Sequence, residues 1–395
     1  MGVSSPAAVA DGVRVRVAVL ALFASCGLTV GSWASRVPAV LAHVGVAAER
    51  WGFLALCTAV GTVAALTRAR RWHRRFGPRR VLAVALPGML FLPPVVAAAP
   101  SPTLLAAGLF AHGVATGAAQ HPMNVSGLAA ERLSGRPMLA GFHGGFSLGL
   151  LAGGLVGAAA AAAGVGPVAQ HTAVAVLLAA FLAVSRRWLP PAPAPAPPAE
   201  PVRATARRAW NGRIAVLMLV AFLTLLCEGA MNQWTAVFVG TTRGLGDAAG
   251  ALAFASFALA MAAGRLAGDR VTARLGRVAV VRLGALLAAA GAAGFLLLPG
   301  LGPVCLTAGA VGAGLSCLMP LTLALAGREA GGGDAVATVL LASWPALVVG
   351  PPVIAGLATA VGLRPALAVV AVLATAIAVL ASRLGPPAGR LRPPA

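Results

Sequence analysis

Runs of roughly 20 apolar residues, each broken by arginine, proline or glycine, follow one another along the whole chain, and each is long enough to cross the hydrocarbon core of a bilayer as a helix. Six lie near Val17–Ala34, Trp51–Thr67, Val81–Ala98, Thr103–Val125, Met138–Ala160 and Val168–Val184. After a stretch of alternating proline and alanine, six more lie near Ile214–Val239, Ala249–Ala267, Val278–Leu298, Pro303–Leu325, Ala335–Ala358 and Pro365–Leu380. The pattern predicts an all-α membrane protein of 12 transmembrane helices in two pseudo-symmetric six-helix bundles. Residues 1–189 form the first bundle and 213–382 the second, joined by an extended linker over 190–212 and followed by a tail over 383–395. The first run follows Arg14 and Arg16 as a signal peptide would, but it continues without a convincing cleavage site and is expected to remain as a span.

The two halves repeat each other. Cys26 and Trp33 recur as Cys227 and Trp234, Arg75-Phe76-Gly77 as Arg274-Leu275-Gly276, and Pro122 as Pro320, always in the same order and roughly 200 residues apart. This is the signature of a parallel repeat about an axis normal to the membrane.

Composition sharpens the assignment. The chain of 395 residues is 59% hydrophobic and only 10% charged, with a mean hydropathy of +0.91, which no water-soluble domain of this size tolerates. Its net charge of +21 would suit a nucleic-acid partner were the arginines gathered on one domain. Instead they sort by side of the membrane: if the N-terminus is cytoplasmic, all but Arg36, Arg50, Arg243 and Arg364 of the 30 lie on that side. Both termini are therefore expected in the cytoplasm, in a bacterial inner membrane, with no nucleic acid bound. The sequence contains no lysine, which excludes a Walker loop and Schiff-base chemistry with pyridoxal phosphate or retinal. The five cysteines all fall inside predicted spans and read as small apolar fillers.

Two loops carry a family resemblance. After the eighth span the sequence reads Gly264-Arg265-Leu266-Ala267-Gly268-Asp269-Arg270 and then Arg274-Leu275-Gly276-Arg277. This resembles the cytoplasmic loop signature of the major facilitator superfamily. The loop after the second span keeps Gly77 and its basic neighbours, but Arg70 stands where the family has glycine and Arg74 where it has aspartate. Gly31-Ser32-Trp33-Ala34-Ser35-Arg36-Val37-Pro38, Phe142-His143-Gly144-Gly145-Phe146-Ser147-Leu148-Gly149 and Glu228-Gly229-Ala230-Met231-Asn232-Gln233-Trp234 resemble a bacterial branch distantly related to sugar permeases such as the fucose permease. The resemblance implies the major facilitator fold, secondary transport, and a cytoplasmic gate at Arg265, Asp269, Arg274, Gly276 and Gly77.

Glu228 is the only acidic residue well inside any predicted span. A buried carboxylate is costly, so the residue either faces a wet cavity and carries a coupling proton or stays neutral and hydrogen-bonded to a neighbouring helix. Asn232 lies one turn away with Gln233 and Trp234 beside it, and Gln120 and Asn124 in the fourth span are again spaced i, i+4 next to His121. These amides serve a polar solute or bind helices together. Trp33, Arg36 and His143 complete the candidate cavity. Arg36 alternatively snorkels to the interface, and His112 and His143 relay protons or simply pack. Gly145, Gly149, Gly153 and Gly157 recur every four residues and allow close helix packing, and Gly350-Pro351-Pro352 or Trp344-Pro345 should kink the eleventh span.

The reading is a transporter, not an enzyme, moving a small polar, sugar-like solute by rocking of two bundles, with protons coupled through Glu228. It needs no cofactor and no metal, contacts only lipid and solute, and is expected to be a monomer. The rivals are an efflux antiporter for drugs or metabolites and a transport-inactive membrane sensor or scaffold.

Overall fold

The computed structural model describes residues 6–134, 138–185, 188, 212–329 and 332–384. The predicted linker up to residue 211 and all but the first two residues of the predicted tail lie outside them, as do the side chains of Arg70, Arg79 and His121. Among the described residues the chain is helical throughout, and 12 segments are long and apolar enough to cross a membrane. In order these are span 1 (Val13–Val44), span 2 (Ala48–Ala69), span 3 (Arg80–Ala97), span 4 (Pro102–Ser134), span 5 (Gly141–Ala162), span 6 (Pro167–Val184), span 7 (Gly212–Thr242), span 8 (Gly246–Leu275), span 9 (Arg277–Leu297), span 10 (Leu301–Ala326), span 11 (Gly332–Val361) and span 12 (Leu363–Leu384). Helices are the open-ended answer to a solvent without hydrogen bonds, because each satisfies its own backbone. Large apolar side chains such as Val84, Leu177, Leu297 and Leu306 stand exposed on the outer faces, where lipid replaces water.

Small residues set the packing. Gly149 and Gly153 of span 5 lie against the backbone carbonyls of Ala24 and Leu28, while Gly27 and Gly31 of span 1 lie against those of Phe146 and Leu150. The glycine repeat in span 5 thus brings two backbones together where any Cβ would collide. The internal repeat shows in the same contacts: Gly113 of span 4 rests on the carbonyl of Thr58 in span 2, and Gly312 of span 10 rests on that of Phe257 in span 8 at the equivalent position. Gly77 and Gly276 match as well, with φ/ψ of 75°/159° and 80°/155°. Both turn the chain between consecutive spans in a conformation that side chains resist, which gives the loop signature's glycine its physical reason.

Span 1 continues through Pro38 to Val44, beyond the expected end, so Arg36 sits two turns inside the helix. Span 11 breaks at Trp344, between helices Gly332–Ser343 and Pro345–Val361. The second helix runs on through Pro351 and Pro352, so Gly350-Pro351-Pro352 does not interrupt it. Span 10 is interrupted near Ser316 and Cys317.

The halves meet at the arginine-poor end. Trp51, at 1% exposure, donates its indole N–H to the carbonyl of Gln233 at 3.2 Å. Gly52 packs on the carbonyl of Pro351, Gly154 against Phe254, and Pro38 beside Gly240. Val37, Val40, Leu41 and Trp51 join the apolar core of the second half, and Ala34, Leu150, Phe254 and Ala258 form a second seal. At the arginine-rich end the inner helices of spans 10 and 11 pack against helices of their own half.

Candidate solute site

Span 7 has two chemically distinct faces. Cys227, Ala230, Met231 and Trp234 are buried against spans 9 and 12. There Trp234, at 0% exposure, borders a small cavity of about 10 Å³ with Phe295, Leu367 and Val370. The expectation that Trp234 lines the solute cavity is corrected on this point: it is two residues beyond Asn232, and the 200° turn that follows from helical geometry points it into the bundle core. Glu228, Asn232 and Gln233 lie on the other, half-buried face.

On that face Glu228 receives a guanidinium. Arg265 of span 8 places Nη2 3.2 Å from Glu228 Oε1, and its Nη1 donates to Ser147 Oγ of span 5 at 2.7 Å. One side chain therefore joins span 7 and span 8 of the second half to span 5 of the first. Their side chains are 34% and 21% exposed for arginine and glutamate, so the pair is partly solvated although both residues lie well within their spans. Arg265 and Asp269 were expected as gate charges that latch the two halves on the cytoplasmic side. Among the described residues the ion-pair partner of Arg265 is Glu228, and Asp269 is exposed. Helix geometry allows either choice; the carboxylate shielded between the halves is the one the guanidinium reaches. His143 lies exposed one turn before Ser147, edge-on to Phe23 at 5.1 Å between ring centres, and within electrostatic reach of Arg265.

Asn232 donates its amide N–H to the carbonyl of Glu228 at 2.9 Å, and its Oδ1 is buried without a partner. Asn124 in span 4 does the same toward the carbonyl of Gln120 at 2.9 Å. Both amides thus bond back along their own helices, leaving hydrogen-bonding capacity for something else. Glu228, Arg265, Ser147, His143 and Asn232 form one neighbourhood; Gln120, Asn124 and Gln233 are half-buried, with no side-chain bond joining them to it.

Arg36 does not face the site. It is 3% exposed and donates to the carbonyls of Val165 at 2.8 Å and Gly157 at 3.4 Å, so that it caps the turn after span 5 by tying it to the helix's last turns. The expected solute-binding or snorkelling role for Arg36 gives way to this cap. Arg243, beyond span 7, does the corresponding work in the second half: it donates to the carbonyls of Phe295 and Leu298 at 2.7 and 2.6 Å and covers the ring of Phe238. Burial, with the nearby charge of Arg364, holds the Arg243 guanidinium below its ordinary pKa. Trp33 packs beside His171 at 5.5 Å in a buried cluster where Gln170 donates to Ser32 at 2.9 Å and Ser32 meets His171 Nδ1 at 3.2 Å. Sequence reasoning did not single out Gln170 or His171, although both lay inside the predicted sixth span as an adjacent polar pair. Nor did it assign Ser147, which was legible only as part of a family-like stretch. Of the remaining gate residues, Arg274 is exposed in the last turn before Gly276.

The Major Facilitator Superfamily model matches residues 17–341. The chain belongs to the major facilitator superfamily. It is 30% identical, over 93% of its length and 94% of the relative's, to an uncharacterised major facilitator-type transporter of Yersinia pestis. It also shares its fold with solved structures. A mutant of the nucleoside transporter NupG superposes at a TM-score of 0.74 and 12% identity, covering 94% of this chain and 99% of that one. FucP, a major facilitator transporter in the outward conformation, superposes at 0.61 and 16% identity, covering 94% and 98%. Membership makes this multi-pass membrane protein a secondary transporter by family.

Proposed function

We propose that this chain carries a small polar solute across the bacterial cytoplasmic membrane by alternating access, drawing on the proton gradient through Glu228. Both termini lie in the cytoplasm in this reading, which the sorting of arginines supports. The apolar seal at Trp51 and Phe254 then closes the outer side, and the site around Glu228 opens to the inside.

One observation carries the reading: the Arg265 guanidinium touches Glu228 in its own half and Ser147 in the opposite one. Protonating Glu228 removes the charge that orients Arg265, and with it the contact to span 5. A proton can thus act on the junction between the halves, which is what coupling requires. The half-buried amides of Gln120, Asn124, Asn232 and Gln233 supply donors and acceptors for a hydroxyl-bearing solute. A nucleoside transporter among the fold neighbours is consistent with this solute class.

Counterflow in liposomes tests it. Purified wild-type protein should exchange a labelled polar solute and accumulate it against a gradient when the outside is acidic. Glu228→Gln should keep exchange and lose pH-driven accumulation. Accumulation by Glu228→Gln at the wild-type rate would rule out coupling through this residue.

A further inference from the structure

The charge balance of the site points to the solute's chemistry, given the proton-coupled reading above. We infer that the solute is a hydroxylated monocarboxylate of the sugar-acid class, whose carboxylate takes Arg265 when Glu228 takes a proton.

The empty site is neutral, one carboxylate against one guanidinium at 3.2 Å. Each candidate solute changes that balance differently. A neutral solute binding with a proton leaves Arg265 as an unpaired cation in a cleft that must then close, and closing a low-dielectric cleft over a lone charge is costly. A cationic solute must compete with Arg265 for Glu228 and sets two cations beside one acid, with His143 adjacent as a third potential charge. A monoanion arriving with a proton restores neutrality: the Glu228 carboxyl is uncharged, and the solute carboxylate pairs with Arg265. The loaded and empty carriers then have the same charge, so both can cross the occluded state.

The donors fit as well. Arg265 already spreads two nitrogens between two oxygens, Ser147 Oγ at 2.7 Å and Glu228 Oε1 at 3.2 Å. A solute carboxylate offers the same pair of oxygens on one planar group, the geometry in which a guanidinium fork binds best. The exchange is cheap, because a partly solvated ion pair is weak. A hydroxyl preference is supported by a separate observation: Asn232 Oδ1 is buried with no donor, one helical turn from Glu228, and a solute O–H satisfies it once the site rearranges enough to uncover it. The step is balanced without any redox chemistry. One proton leaves bulk water for a Glu228 oxygen, one anion enters, the ion pair breaks and a new one forms, and on the far side proton and anion leave together.

The test uses the full-length protein in sealed liposomes containing a pH-sensitive dye, with D-gluconate, D-glucose and D-glucosamine as probes. Gluconate should acidify the lumen at a rate unchanged by an imposed membrane potential, and glucose and glucosamine should not. In thermal-shift titrations gluconate affinity for wild type should fall about tenfold per pH unit once Glu228 is ionised, as one linked proton requires. Glu228→Gln should bind gluconate equally well at pH 5.5 and 8. Arg265→Gln should lose gluconate binding; Arg265→Lys, which keeps the charge but not the fork, should retain a weakened form and serves as the folded control. Proton movement with glucose or glucosamine but not gluconate, gluconate uptake that follows the membrane potential, undiminished gluconate binding by both Arg265 variants, or silence with all three probes would each overturn the anion assignment. None of these touches the transport reading, which falls only if counterflow fails across solute classes or if Glu228→Gln still couples to pH.

Discussion

Arg265 lies 3.2 Å from Glu228 and 2.7 Å from Ser147, so a single guanidinium on span 8 holds a carboxylate in one half and a hydroxyl in the other. Its 34% side-chain exposure decides what the pair is for. Ion pairs this solvated contribute at most about 1 kcal/mol to stability, and a contact that weak is suited to being broken once per cycle.

The first prediction separates those roles. In a double-mutant cycle of Glu228→Gln and Arg265→Gln, read by melting temperature in detergent, the coupling should stay below about 1 kcal/mol. Proton-driven transport should fall at least about tenfold in each single variant, a loss of about 1.4 kcal/mol of transition-state stabilisation. Coupling of several kcal/mol with transport intact would make the pair a structural fastening.

Arg36 should behave in the opposite way. It is 3% exposed and its two carbonyl partners, Val165 and Gly157, lie where span 5 ends. Arg36→Met leaves those carbonyls without their charged donor, and hydrogen bonds of that type contribute about 1.5–3 kcal/mol each. The variant should melt well below wild type, while the protein that remains folded keeps its solute affinity. A variant as stable as wild type but with weakened solute binding would return Arg36 to the solute site.

What the sequence disclosed and what it withheld follow from the physics of each feature. Twelve spans were legible because lipid imposes one length and one polarity on every crossing, and that rule needs no tertiary information. Glu228 was legible because an acid inside a span is expensive wherever it points. Its partner was not. Arg265 has an i, i+4 neighbour in Asp269, and local spacing offers that pairing first, whereas Glu228 lies on another helix. Trp234 misled for a related reason: adjacency to Asn232 and Gln233 in sequence says little about face, since a helix sends consecutive residues about 100° apart. Arg36 fell near the predicted end of span 1 only because hydropathy drops at Ser35-Arg36, while the helix itself runs on to Val44.

Glycine positions give a third prediction. Gly153 sits against the carbonyl of Leu28 and the amide of Ser32, whereas Gly144, on the same helix, has nothing within 4 Å of where a Cβ would stand. Gly153→Leu must push spans 1 and 5 apart along their length, a form of overpacking that costs several kcal/mol when backbone has to move. It should yield no monodisperse protein by size-exclusion chromatography. Gly144→Ala should elute and melt like wild type, or slightly above it, since alanine is the better helix former. Equal behaviour of the two variants would mean that spans 1 and 5 do not pack as described.

The seal at the arginine-poor end must open if the halves rock. Gly154 of span 5 faces Phe254 and Ala255 of span 8, and a Cβ at Gly154 would stand 3.4 Å from the Ala255 Cα, which makes these two neighbouring positions a place to introduce a disulfide. In a background with Cys26, Cys57, Cys227, Cys305 and Cys317 replaced, Gly154→Cys with Ala255→Cys should cross-link on oxidation and stop solute transport, and reduction should restore it. The other end should stay open meanwhile: with His143→Cys added, a membrane-impermeant maleimide should label the cross-linked protein from the arginine-rich side, because His143 is exposed there while Trp51 and Phe254 close the opposite one. Transport that continues at the wild-type rate through a fully formed cross-link would show that spans 5 and 8 never part at this level, and rocking of the two halves could then not be how the solute crosses.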